Sequence, residues 1–144
     1  VCAAARERVG PGGAVVAADR SPAALAAVAA LGGCDAAIAL DATDAVGALA
    51  RVEAAGGPFD LVVNCASVPG TEMASILAVR DGGTVIFFSM ATSFTAAALG
   101  AEGVGKDAAL VIGNGYVPGH ADFALDLLRR HPALRARFEE RYAR

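Results

Sequence analysis

The chain has 144 residues, which is enough for one domain with its own core. Hydrophobic residues make up 56% of it and the mean hydropathy is +0.51, which argues against disorder. The net charge is −3, the pI is near 5.3 and there is no basic stripe, so nucleic acid is not expected as a partner. No apolar run reaches the ~18 residues that span a bilayer and no signal peptide is recognisable, so we expect no membrane segment.

The cysteines are scattered along the chain at Cys2, Cys34 and Cys65, without CxxC spacing. This pattern favours reduced thiols in a cytoplasmic protein over a disulfide framework or a zinc site. We therefore expect a cytoplasmic location and no metal ion.

Helices and short apolar strands alternate along the chain. Hydroxyl caps, proline at a first helical position and glycine pairs indicate where the helices start and stop. The predicted helices are Val1–Arg8, Ser21 to Gly32, Thr43 to about Ala54, Thr71 or Glu72 to Ala78, Phe94–Leu99, Gly119–Arg130 and Pro132–Tyr142. The predicted strands are Ala14–Ala18, Ala36–Leu40, Phe59–Val63, Thr84–Phe88 and Ala108–Ile112.

Short apolar strands separated by helices are typical of a parallel sheet that is covered on both faces. We therefore predict a single α/β domain over residues 1–144, with a doubly wound, mostly parallel Rossmann-type sheet. Such a fold binds a dinucleotide beyond the carboxyl ends of its strands.

The first strand of such a sheet, with its Gly-rich phosphate loop, is not recognisable in the sequence. The run Gly10–Gly13 follows a helix and precedes a strand, whereas a phosphate loop connects a strand to a helix. We expect the strand and loop to lie upstream of Val1, which would make this chain an N-terminally truncated fragment. In the strand order 3-2-1-4-5-6 the missing strand is the central one, so the strands at 14–18 and 59–63 should flank a gap. Either a fragment of this kind is poorly stable alone, or the parent protein supplies the missing strand.

Asp19 ends the first visible strand, where a dinucleotide-binding fold places an acid that accepts hydrogen bonds from the adenosine ribose. Its charge would repel a 2′-phosphate, so NAD is favoured over NADP; the alternative is that Asp19 only caps the turn before Ser21. Arg20 would stack on the adenine or lie in solvent. Asp41 would accept from the adenine amino group, or provide charge at the start of the following helix.

The next two strands also end in polar residues. Asn64 and Cys65 follow the third strand, at the crevice where the strand order reverses, and we predict that they contact the nicotinamide side. A structural turn is the alternative for Asn64. Ser89 and Met90 follow the fourth strand, and we place them at the cofactor as well, although packing is the alternative for Met90.

Four titratable residues are candidates for the reaction: Glu72, Lys106, Asp107 and His120. We single out His120 as a general base, because it follows the fifth strand and histidine titrates near neutral pH. Glu72 is the second catalytic candidate. Both residues also have ordinary structural interpretations at the starts of helices.

Three segments closely resemble the family of L-erythro-3,5-diaminohexanoate dehydrogenase, a family of bacterial lysine fermentation. They are Asn64-Cys65 with Val68–Ile76, Phe87–Asp107, and Ile112–Tyr116 with Gly119–Ala121. The similar region is roughly residues 59–142, and a looser dinucleotide-fold pattern precedes it. Ala66 and Ser67 depart from the family pattern, so no role is given to them.

The resemblance implies an NAD-dependent oxidative deamination. Hydride leaves the amino-bearing C3 of 3,5-diaminohexanoate, and hydrolysis of the imine gives 5-amino-3-oxohexanoate and ammonia. It suggests Glu72, Asn114 and His120 as groups that hold or deprotonate the substrate, and a catalytic N-terminal region outside this chain. We also expect a homo-oligomer. Two alternatives stay open: an alcohol dehydrogenase of the same fold, and a non-catalytic nucleotide-binding α/β domain.

Overall fold

The computed structural model describes residues 1–113 and 116–143. Its helices are α1 (Cys2–Val9), α2 (Pro22–Ala30), α3 (Ala45–Ala54), α4 (Glu72–Ala78), α5 (Phe94–Gly103), α6 (His120–Arg130) and α7 (Pro132–Tyr142). Its strands are β1 (Val16–Asp19), β2 (Ala36–Ala39), β3 (Phe59–Asn64), β4 (Val79–Phe87) and β5 (Ala108–Ile112). None of its described helices is both long and apolar enough to cross a membrane.

The chain divides into two compact units. The first unit contains Val1–Ala17, Ala23–Ala37 and the described residues 116–143. The second unit contains Ala18–Pro22 and the described residues 38–113.

The second unit holds a parallel sheet in the order β3-β4-β5. Because the strand order advances in one direction, the two right-handed crossovers through α4 and α5 lie on the same face of the sheet. This explains a difference from the sequence expectation of cover on both faces: Leu61 and Val111, which point to the other face, are 52% and 48% exposed.

The main core lies between this sheet and its two helices. Ile76, Val79, Val85 and Phe87 are the largest fully buried side chains. Ala97 and Ala101 of α5 complete the cluster, and their small side chains let the helix approach the sheet closely. Each large apolar side chain buried here contributes about 1.5–3 kcal/mol relative to an exposed one.

The strands β1 and β2 form a separate two-stranded sheet. Asp35 N donates to Val15 O at 2.7 Å and Leu40 N donates to Asp19 O at 3.1 Å, so the two strands run in parallel. In the order 3-2-1-4-5-6, β2 and β1 take the first two places and β3, β4 and β5 the last three. The split into two sheets is consistent with a Rossmann-type fold that lacks its first strand, and it confirms the predicted fold class.

The largest differences from the expected element boundaries are in β4 and α5, and the cap of α3 also differs. β4 begins at Val79 and not at Thr84, because the expected turn around residues 81–83 is an irregularity inside the strand, where the register with β3 shifts. α5 continues to Gly103 instead of ending at Leu99. The cap of α3 is Asp44 and not Thr43: the Asp44 carboxylate accepts from Gly47 N at 3.0 Å.

Candidate functional site

The carboxyl ends of β3 and β4 lie side by side in the second unit. A network of buried polar side chains surrounds the end of β3. Asn64 ends β3 and is only 7% exposed. Its amide nitrogen donates at 2.9 Å to the hydroxyls of both Thr71 and Ser75, and its Oδ1 accepts from Ala66 N at 2.9 Å. The side chain therefore ties the end of β3 to the start of α4, with both of its functional ends hydrogen-bonded.

Glu72, in the first turn of α4, is the other buried polar group at this edge. It is 3% exposed, and its Oε1 accepts a hydrogen bond from Ser93 N at 2.7 Å. Ser93 is also the N-cap of α5, since its hydroxyl accepts from Ala96 N at 3.2 Å. One carboxylate thus connects the starts of two neighbouring helices.

Residues 88–93 connect β4 to α5, and we call them the crevice loop. Phe88 N donates to Asn64 O at 2.9 Å, so the loop begins against the end of β3. Ser89 Oγ accepts from Ala91 N at 3.1 Å, which stabilises a turn within the loop. Met90 is fully exposed at 103% and Phe88 is 61% exposed. The loop therefore exposes the apolar side chains of Phe88 and Met90, while its first and last backbone N–H groups bond to β3 and to Glu72.

A second candidate region lies at the ends of β1 and β2. Asp19 is exposed, and its Oδ1 accepts from Ser21 N at 2.7 Å, as the turn-capping interpretation expected. Arg20, Asp41 and Arg51 line an open cleft of about 390 Å³ beside it, together with the start of α3.

Asp41 has a local partner as well. The Thr43 hydroxyl donates to its Oδ1 at 2.7 Å and the Thr43 backbone N–H donates at 2.9 Å. These hydrogen bonds hold the pKa of Asp41 below its ordinary value, and the bond from the Thr43 hydroxyl has the larger effect. Asp41 is therefore an ionised acceptor at neutral pH.

The cleft combines the guanidinium groups of Arg20 and Arg51 with the carboxylates of Asp41 and Asp44. Dinucleotide-binding folds use an acid at the end of a strand to accept hydrogen bonds from the adenosine ribose, and Asp19 is the acid at the end of β1 that could do so. Within residues 1–113 and 116–143, no group of three or more His, Cys, Asp and Glu side chains is arranged to hold a metal ion.

His120 begins α6 and belongs to the first unit, whereas Glu72 belongs to the second. The imidazole is exposed, its Nδ1 lies 2.9 Å from Val117 O, and its ring meets the Tyr116 ring edge-on at 5.2 Å. Asn114, the third substrate candidate, lies outside the described residues.

The remaining candidates are Lys106, Asp107 and Cys65, and the first two make hydrogen bonds that support β4. Lys106 Nζ donates to Val79 O at 3.0 Å and lies 4.0 Å from Asp81, so it supports the start of β4. Asp107 N donates to Asp81 Oδ1 at 3.3 Å. Cys65 is an exposed thiol at the end of β3.

Sequence reasoning gave no role in the site to Thr71, Ser75 and Arg51. It identified Ser93 only as one residue of the polar loop that follows β4. Thr71, the N-cap of α4, and Ser75 are separated by about one helical turn, so the two hydroxyls lie on the same side of the helix. That spacing could have revealed the hydroxyl pair, but only the fold identifies Asn64 as its partner.

The chain is similar to two curated proteins named L-erythro-3,5-diaminohexanoate dehydrogenase. It is 49% identical over 143 residues to the protein of Acetoanaerobium sticklandii, and the aligned region covers 98% of this chain and 42% of that protein. It is 53% identical over 83 residues to the protein of Fusobacterium nucleatum, and this aligned region covers 58% of the chain and 24% of that protein. The resemblance inferred from the sequence is confirmed.

The chain therefore spans less than half the length of the curated relatives it matches. No protein-family model matches it.

Proposed function

We propose that this chain, a homologue of L-erythro-3,5-diaminohexanoate dehydrogenase, is the NAD-binding part of a cytoplasmic enzyme that oxidatively deaminates 3,5-diaminohexanoate. The observation that carries the proposal is the 49% identity over 98% of the chain to a protein of that name. The parallel α/β fold and the exposed carboxylate at the end of β1 support a nucleotide cofactor.

In the proposed reaction the substrate ammonium first loses a proton to a base, for which His120 is the candidate. When bound, NAD provides the nicotinamide ring that accepts hydride from C3 of the substrate. Water then adds to the resulting imine, and ammonia leaves to give 5-amino-3-oxohexanoate. The balance is one diamino acid, one NAD⁺ and one water to one oxo acid, one NADH, one ammonium ion and one proton.

Within this chain, Asp19 would accept hydrogen bonds from the adenosine ribose, while Arg20 and Asp41 would flank the adenine. Asn64, Cys65, Ser89 and Met90 would lie toward the nicotinamide. Asn64 would take part mainly by holding the end of β3, because its amide is already hydrogen-bonded to Thr71 and Ser75. The rest of the longer protein would complete the substrate site, and we propose that it works as a homo-oligomer.

We predict that Asp19→Asn in the full-length protein weakens NAD binding at least fivefold and narrows the preference for NAD over NADP. The amide oxygen can still accept from Ser21 N, so the turn is kept, but the charge that binds the ribose and repels a 2′-phosphate is lost. A charge-assisted hydrogen bond is worth about 1.5–3 kcal/mol, or roughly a tenfold change or more. Titration calorimetry with each nucleotide measures the effect.

The control is Asp122→Asn, which removes an exposed carboxylate from the first turn of α6 and should leave both affinities unchanged. Unchanged affinities in Asp19→Asn itself would disprove the ribose contact. NADH release with 3,5-diaminohexanoate, and none with its 3-hydroxy analogue, separates the proposed reaction from that of an alcohol dehydrogenase. NAD binding with no turnover of either compound would indicate the non-catalytic domain.

A further inference from the structure

The crevice loop is anchored at both ends to the neighbouring βα segment. At its start, Phe88 N donates to the backbone oxygen of Asn64 at 2.9 Å. At its end, Ser93 N donates to the carboxylate of Glu72 at 2.7 Å. Both anchor residues are buried, Asn64 at 7% and Glu72 at 3% exposure, so water competes poorly for these bonds.

The second anchor depends on a side chain. Ser93 lies 21 residues after Glu72, and it uses its own hydroxyl to cap α5 through Ala96 N. The Glu72 carboxylate therefore fixes the backbone at Ser93, where the crevice loop ends and α5 begins. Removing it would leave a backbone N–H at this edge without its acceptor.

The same geometry is poorly suited to proton abstraction by Glu72. A general base needs an oxygen within hydrogen-bond reach of the substrate proton. Oε1 of Glu72 is already occupied by Ser93 N, and the residue is almost fully enclosed. By contrast, the loop that it holds projects Met90 into solvent at the carboxyl end of β4, where the nicotinamide side is expected.

We infer that Glu72 is a positioning residue: it holds the crevice loop in the conformation that the reaction requires, and it does not accept the substrate proton. The inference rests on the proposed function, because the reaction is what the loop position would serve. Misplacement of a reacting partner by ~1 Å from a distant change can lower turnover about 100-fold. A residue of this kind is therefore needed for activity while never touching the substrate.

Glu72→Gln and Glu72→Ala in the full-length protein distinguish the two roles. The glutamine keeps an uncharged oxygen that can accept from Ser93 N, whereas alanine keeps none. For a positioning residue we expect kcat of Glu72→Gln to stay within about tenfold of wild type and that of Glu72→Ala to fall about 100-fold. The pH profile of kcat/KM should keep both limbs in Glu72→Gln.

If kcat of Glu72→Gln instead falls about 100-fold or more below that of the wild type and one limb of its pH profile disappears, Glu72 is the base and the inference is wrong. This comparison needs only the glutamine variant and the wild type, so it remains decisive if Glu72→Ala does not fold.

Hydrogen–deuterium exchange over residues 88–97 tests the anchor without any substrate. We expect exchange at Ser93 to accelerate about tenfold or more in Glu72→Ala and to change little in Glu72→Gln. Glu102→Ala, which removes an exposed carboxylate from the same helix α5, is the matched control and should exchange as wild type does. Unchanged exchange in Glu72→Ala would refute the anchor, whereas a lack of turnover by the wild type would refute only the proposed function.

Discussion

Single polar side chains connect segments that are distant in the sequence. Two of them, Asn64 and Glu72, are buried near the carboxyl ends of β3 and β4. Asn64 satisfies both amide donors with the hydroxyls of Thr71 and Ser75, and Glu72 accepts from a backbone N–H of the next connection. A buried polar group that loses its partner costs about 1–3 kcal/mol. Substitution at either position therefore affects folding as well as any role at the cofactor.

Glu7 of α1 makes a similar link on the surface of the first unit. Its two carboxylate oxygens accept from Arg130 Nε at 3.2 Å and Nη2 at 3.0 Å, and Oε1 lies 2.8 Å from His131 Nε2. The Arg130 hydrogen bonds, followed by that of His131, hold the pKa of Glu7 below its ordinary value of 4.5.

This depressed pKa predicts a pH-dependent contribution to stability. Because the folded-state pKa is below the unfolded one, the stabilisation is present above about pH 4.5 and is lost as the pH falls through the folded value. Glu7→Gln should therefore melt at a lower temperature than wild type at pH 7, and the difference should shrink toward pH 3. Thermal unfolding across this range is the measurement, with Glu53→Gln on the exposed face of α3 as control. A difference that stayed constant with pH would contradict the assignment.

The strand β4 shows how one element accommodates a turn-like sequence. Phe59 pairs with Val79 and Leu61 pairs with Thr84, so β4 contains extra residues opposite Asp60. Gly82 has a φ of +71°, which glycine adopts at little cost. The sequence Asp81-Gly82-Gly83 therefore bends the strand at an irregularity without ending it.

Gly83 is the position where this bend leaves no space for a side chain. A Cβ there would lie 2.7 Å from Val79 Cγ2 and 2.9 Å from the backbone oxygens of Arg80 and Asp60. We predict that Gly83→Ala lowers the free energy of unfolding by about 1–3 kcal/mol, as overpacking does. Urea unfolding measures it. Gly103→Ala is the control, because no atom lies within 4 Å of its Cβ position, and it should be neutral or stabilising by up to about 1 kcal/mol. Equal effects of the two substitutions would argue against the close approach at Gly83.

Across the whole molecule, burial is distributed unevenly between the two units. The main core cluster, from Ile76 to Ala101, lies in the second unit. Among the described residues, none of those in α1, α2, α6 and α7 is buried. Segments with few buried apolar contacts open at a lower free energy than core segments.

The rate of native-state hydrogen exchange should therefore differ between the elements of the 144-residue chain. We predict the slowest exchange in α4 and β4, which supply the largest fully buried side chains, and exchange at least about tenfold faster in α1, α2, α6 and α7. Mass spectrometry of peptides from each element, compared with the unfolded chain, measures the gradient. Equal protection of α6 and α4 would mean that the units do not differ in stability.

Much of the fold could be predicted because its signals are local. Apolar runs of a few residues, glycine pairs and proline positions identify every strand and helix, and a regular alternation of the two indicates a parallel sheet. The start of β4 and the end of α5 were the main errors. Both fall where a local turn signal, Asp81-Gly82-Gly83, or a local expectation of helix length was overruled by strand pairing and by packing against the core.

The candidate site divides in the same way. That Asp19 ends one strand, and that Ser89 and Met90 follow another, was readable from the sequence, because strand ends depend on neighbouring residues. The sequence also determined the similarity to diaminohexanoate dehydrogenases, which extends over 143 residues at 49% identity. Only the tertiary structure decided that Glu72 meets Ser93 and that Asn64 meets Thr71 and Ser75. Those contacts depend on sheet register and on which face each crossover covers, and neither is encoded in any short stretch of chain.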